Sequence, residues 1–135
     1  MPLMTWKDEY SVKIQTIDSQ HKKLIDLLNQ IYDASRLGKG KEVLGKILNE
    51  LVVYTKVHFT TEEDFFKKFS YPDYVLHKIE HDKLTKQVTD FQEQYEAGNA
   101  TLSIEIMQFL KDWLSDHILG TDKKYVEFLH SKGLH

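Results

Sequence analysis

Between residues 74 and 95 the side chains Tyr74, His77, His81, Leu84, Val88, Phe91 and Tyr95 recur in strict three-four alternation. That spacing lays one stripe along a single helix face, the face a helix turns toward its neighbours. His77 and His81 sit inside the stripe, one turn apart, so this helix must bury imidazoles where others bury leucine. The segment before it shows the same rhythm through Leu44, Ile47, Leu51, Thr55, His58, Glu62, Phe65 and Phe69. The first periodic segment contributes His21, Leu24, Leu28 and Ile31, and the fourth Leu102, Ile106, Phe109, Trp113 and His117. Every long helix is expected to send histidine into the core.

The punctuation between these stripes sets the architecture. After an N-terminal arm over 1–17, with Trp6 and Tyr10 available to pack, a first helix is expected to start at Asp18 as N-cap and to end near Leu37 and Gly38. A second runs from about Lys41 to Phe69, where Pro72 forbids continuation. A third reaches about Ala97, a fourth spans about Leu102 to Leu119, and a short helix closes the chain near 122–131. Connections this short make neighbouring helices antiparallel. The expected fold is all-α: one domain over 1–135, its bundle over 18–131, in up-down-up-down four-helix order.

Composition narrows the class. With 41% hydrophobic and 29% charged residues, six Gly and two Pro, 135 residues suffice for one core without disulfides. There is no cysteine, which removes thiolate zinc and iron-sulfur chemistry. Eighteen basic against 21 acidic residues, net charge -3, leave no excess to gather nucleic acid or anionic lipid. The N-terminus "MPLMTWKDEYSVK" lacks a signal-peptide pattern and no apolar run is long enough to span a membrane. A soluble, cytoplasmic protein without nucleic-acid or membrane partners is expected.

Position along the bundle axis decides what the histidines do. His21 is near the start of the first helix, His58 and Glu62 lie late in the second, His77 and His81 early in the third, and His117 late in the fourth. In an up-down bundle those places share one end. A lone inward histidine is usually a hydrogen-bonded core residue. Five with a glutamate in one layer are costly to bury unless a cation joins them. His130 and His135 fall outside the layer and are read as structural. Asp122, five residues past His117, is roughly 140° off its face on an ideal helix. It either joins the site, if the helix breaks or tightens at Gly120 and Thr121, or caps the terminal helix.

The set formed by His21 in "DSQH", "HFTTEE" from His58, "HKIEH" from His77 and "HILGTDKKY" from His117 resembles the hemerythrin family in its single-domain bacterial form. The likeness covers nearly the whole chain, including the "LMTW" arm. It implies two Fe ions in a non-heme di-iron centre with a solvent-derived oxo or hydroxo bridge. One iron would take His77, His81 and His117, the other His21 and His58, with Glu62 and Asp122 bridging both. The position left open falls on the iron held by His21 and His58, where O2 is expected to bind end-on.

The implied function is reversible O2 binding for transport, storage or delivery, with O2 as ligand, a partner protein that receives it, and the chain itself a monomer. Five neutral imidazoles and only two carboxylates form a softer shell than the carboxylate-rich sets of di-iron oxygenases, which favours a carrier over an enzyme. The alternatives are a di-iron enzyme for peroxide, nitric oxide or iron handling, or an O2 sensor acting through a partner. Leu24, Phe59, Trp113, Leu114 and Ile118, each within about one turn of a ligand, are the expected dry walls of the O2 pocket. Tyr125, one turn after Asp122, is expected in the pocket or behind a ligand. Two departures from the family pattern are Gly120, a flexible link, and Phe65 with Phe66 in place of a methionine-containing stretch.

Overall fold

A computed structural model describes residues 3–99 and 104–135, with backbone only at positions 104 and 121. The long helices are α1 (Gln15–Arg36), α2 (Lys41–Phe69), α3 (Tyr74–Glu96) and α4 (Ile104–Asp116). A π turn over His117–Thr121 and a 3-10 turn over Asp122–Tyr125 then lead into the short α5 (Val126–Ser131). No strand occurs among the described residues. α2 packs between α1 and α3, and α4 packs on α1, as an up-down-up-down bundle requires.

The stops have local causes. Gly38 follows the end of α1 at φ +71°, a left-handed conformation that glycine adopts without penalty. Ser70 takes the same role after α2 at φ 56°, with the Tyr71 amide returning to the Phe66 carbonyl at 2.9 Å. Pro72 then prevents any continuation.

The interior divides into two apolar clusters with a polar layer between them, in the same order along each helix. The larger contains Leu24 and Leu28 of α1, Leu51 and Phe59 of α2, Val88 of α3, and Leu110, Leu114 and Ile118. The smaller contains Val12, Ile14 and Ile17 with Phe66, Tyr71, Tyr125 and Leu129. His21, Glu62, His77 with His81, and Asp122 fall between the two sets in sequence, and His58 and His117 each lie one residue before a member of the larger set, Phe59 and Ile118. The polar layer is therefore enclosed by hydrocarbon on both sides.

Several expectations are corrected. Asp18 does not cap α1, whose N-cap is Ile14. Its carboxylate instead accepts from the Ser11 hydroxyl and, at 2.8 Å, from the Val12 amide, tying the arm to the first turn of the helix. The buried face of α4 is wider than the expected stripe: Trp113 and His117 are buried as expected, Met107, Leu110 and Leu114 are buried beside them, and of the stripe Phe109 alone among the described residues is exposed, at 41%. The segment is apolar on two overlapping faces, and only packing chooses between them. Leu102 lies outside the described residues. On α2, Phe66 is fully buried and Phe65 only half-buried, because the arm and α5 cover the face around Phe66.

Asp18→Ala should lower unfolding free energy by about 1–3 kcal/mol, the usual loss for hydrogen bonds to a charged group, without loss of helix content. Urea denaturation followed by circular dichroism measures this, and an unchanged midpoint would contradict the role given to Asp18.

Candidate metal centre

The three-four stripes bring His21, His58, Glu62, His77, His81, His117 and Asp122 into one layer, each between 0 and 4% exposed. All seven ligand residues named from the sequence meet. The π turn is what recruits the last of them. Its hydrogen bonds reach five residues along the chain, so His117 and Asp122 point to one place although an ordinary helix would separate them. The helix widens here; it neither breaks nor tightens. Asp122 does not cap α5, whose N-cap is Tyr125.

Imidazole Nε2 atoms surround the two carboxylates. Glu62 Oε1 lies 3.1 Å from His58, 3.2 Å from His81 and 3.5 Å from His117. Asp122 Oδ2 lies 2.7 Å from His21, 3.0 Å from His117 and 3.6 Å from His58, while Oδ1 faces His77 at 3.4 Å. The potential ligand atoms form two groups, each within 4.8 Å of one another. One is His21, His58, Glu62, His117 and Asp122; the other is Glu62, His77, His81 and Asp122. Glu62 and Asp122 belong to both, as bridging groups must. His117 groups by distance with His21 and His58, whereas the resemblance assigns it to His77 and His81. Its ring lies between the sets, 5.7 Å from that of His58 and 5.5 Å from that of His81.

The hydrogen-bond inventory fits a cation. Nε2 of His77, His81 and His117, Glu62 Oε1 and Asp122 Oδ1 are buried and make no hydrogen bond. Each such atom costs about 1–3 kcal/mol when left alone. Their shared direction makes them a set of lone pairs, which metal ions would satisfy together.

The electrostatics agree. Burial alone would lower the imidazole pKa values, yet the Glu62 and Asp122 charges raise His58 to about 9 and His117 to about 10. For His21, burial wins and the shift is downward. Burial and mutual repulsion oppose ionisation of Glu62 and Asp122, but the surrounding imidazoles hold both well below the carboxylate range.

Tyr125, expected in the pocket or behind a ligand, is fully buried and donates its hydroxyl to Glu62 Oε2. Sequence reasoning missed two further partners. His58 Nδ1 is 2.8 Å from Gln20 Oε1, and His81 Nδ1 is 2.8 Å from Glu63 Oε2. The only signal for Gln20 and Glu63 was their place beside the ligands His21 and Glu62. The five expected pocket residues, Leu24, Phe59, Trp113, Leu114 and Ile118, are all buried in the larger apolar cluster. Phe59 stacks on His81 at 4.0 Å and meets His117 edge-on at 4.9 Å. Trp113 and His117 also line a surface cleft of about 320 Å³, whose wall includes Leu84 and Phe109 but also the charged Glu80, Lys83, Asp112 and Asp116.

A metal ion requires unprotonated Nε2 atoms. With His58 at about 9 and His117 at about 10, both carry a proton at pH 7, so ferrous loading should release roughly two protons per chain and affinity should rise with pH until both have titrated. Calorimetry in buffers of different ionisation enthalpy reads this number; loading without proton release would contradict the charge assignment. His130→Ala, outside the layer, should leave loading unchanged.

Comparison with known proteins agrees with this geometry. Residues 12–129 match the family described as hemerythrin HHE cation binding domain. A bacteriohemerythrin of Methylococcus capsulatus is 38% identical over 126 residues, covering 93% of this chain and 95% of that protein. One from Stenotrophomonas maltophilia is 32% identical, covering 94% and 82%. A crystal structure of wild-type hemerythrin superposes with TM-score 0.88 at 37% identity, covering 94% of this chain and 98% of its own. The chain belongs to the hemerythrin family.

Proposed function

We propose that this protein binds O2 reversibly at a non-heme di-iron centre, as a carrier for transport, storage or delivery to a partner protein. The observation that carries the reading is the buried layer itself, five imidazoles around two shared carboxylates between two apolar clusters. Family membership supports iron as the metal. His21 and His58 would hold one ion and His77 with His81 the other, His117 standing between, with Glu62 and Asp122 shared under a solvent-derived oxo or hydroxo bridge. When bound, such a pair of irons lends two electrons to O2 and recovers them on release.

The chain's part is to orient, to enclose and to withhold protons. Tyr125 holds one oxygen of Glu62, and its own proton is firmly retained. Burial first, then the Asp122 and Glu62 charges, push the phenol well above its ordinary pKa. Trp113 adds an indole N–H that is buried without a partner and does not ionise. Leu24, Phe59, Leu114 and Ile118 contribute only hydrocarbon. None of these side chains would offer an ionisable proton to a ligand held beside them, which would oppose loss of O2 as peroxide and supports a carrier over an enzyme. No described helix is long and apolar enough to cross a membrane, and we place the carrier in the cytoplasm as a monomer.

The reading is tested by reducing the iron-loaded protein anaerobically and cycling O2. Uptake and full return over repeated cycles, without hydrogen peroxide in solution, is expected; peroxide release or nitric oxide turnover would replace the carrier with an enzyme. His58→Ala should abolish O2 uptake while the helical signal persists, and normal uptake by that variant would reject the ligand assignment. Trp113→Ala, by admitting water beside His117, should shorten the lifetime of the oxygenated protein at unchanged iron content.

A further inference from the structure

His58 and His81 approach the same oxygen of Glu62, at 3.1 and 3.2 Å, but fall in different ligand groups, and they are backed by groups of different charge. His58 donates from Nδ1 to the neutral amide of Gln20, and His81 donates from Nδ1 to the carboxylate of Glu63, both at 2.8 Å. The Gln20 amide has one orientation available. Its Nε2 donates to the Thr61 hydroxyl at 3.0 Å, and that hydroxyl donates to the Val57 carbonyl, which leaves Oε1 as the acceptor for His58. Both bonds keep a proton on Nδ1, so that Nε2 faces the layer and would offer its lone pair to a metal ion there.

We propose that this difference in charge ranks the two metal positions: Glu63 makes the His77/His81 position the tighter one, and Gln20 leaves the His21/His58 position exchangeable. The inference rests on the di-iron reading above. A carboxylate behind a ligating imidazole raises the ring's basicity and brings a negative charge close to the cation; an amide does less of the first and none of the second. The His81 ring is 1% exposed and covered by Phe59, so water screens the Glu63 charge weakly on that side.

The countercharge on Glu63 is slight. Lys78 Nζ is 3.9 Å from Glu63 Oε1 but only 3.0 Å from Asp82, with its side chain 44% exposed. A solvated pair at that distance leaves most of the Glu63 charge facing His81. On the other side, the bonds from His58 through Gln20 and Thr61 to Val57 involve no charged group. The contrast in backing charge does not depend on His117, because His58 and His81 fall in different ligand groups, and the two substitutions below read that contrast whichever ion His117 joins.

The test follows iron leaving the anaerobic diferrous protein under excess ferrous chelator. The parent should lose iron in two phases of equal amplitude. Glu63→Gln should accelerate the slow phase roughly 10- to 100-fold and spare the fast one. Gln20→Glu should slow the fast phase by a similar factor, a gain in retention that misfolding cannot produce. Acceleration of both phases together in Glu63→Gln, or no retention gained in Gln20→Glu, would overturn the ranking. A parent that holds fewer than two irons would remove both the di-iron reading and this inference. Ranked release from a protein that takes up no O2 would uphold this inference and remove only the carrier.

Discussion

Two carboxylates and five imidazoles are taken out of water in one cross-section of the bundle, and the rest of the structure is arranged around the cost of doing so. Neither carboxylate is tolerable there without positive charge in contact, because desolvation of a lone buried ion costs several kcal/mol. Protons on His58 and His117 supply that charge in part; cations supply it for every lone pair in the layer. The groups come from α1, α2, α3 and the π turn after α4, so displacement of any one segment strands a buried charge. The apolar clusters on either side do the converse, pressing the helices together and keeping the local dielectric low. Packing and coordination thus enforce the same register.

Much of this was legible in the sequence where a single cause decides. The bounds of α2 were readable, from about Lys41 to Phe69, because Pro72 forbids continuation of the helix past it. The ligand stripe on α3 was readable from its unbroken three-four rhythm, although Val75, Leu76 and Ile79 off the stripe are apolar too and remain exposed. α4 was legible in part: Trp113 and His117 are inside as read, but Phe109 gives way to Leu110, because the segment is apolar on two overlapping faces. The helix opening between His117 and Asp122 was anticipated as a break; the actual widening depends on the pull of the site on Asp122, which is tertiary. Gln20 and Glu63 were invisible because a polar residue beside a ligand looks like any solvated helix position until the neighbouring helix is placed.

The same layer explains why its surroundings differ by direction. Toward the larger cluster the neighbours are Leu24, Phe59, Leu114 and Ile118, all buried hydrocarbon. Toward the smaller cluster stands Tyr125, whose hydroxyl occupies the second oxygen of Glu62. Laterally, Gln20 and Glu63 set the tautomers of His58 and His81. Pocket, clamp and orienting groups are thus distributed over different sides of one site, each made by residues within about a turn of a ligand.

The central claim is that this layer holds two ions shared by Glu62 and Asp122. Anomalous diffraction at the iron edge, from crystals of the iron-loaded protein, tests it most directly. Two peaks are predicted, both in contact with Glu62 and Asp122, one flanked by His21 and His58 and the other by His77 and His81, and the map will also show which of them His117 joins. A single peak, or two peaks that do not share these carboxylates, would contradict the account.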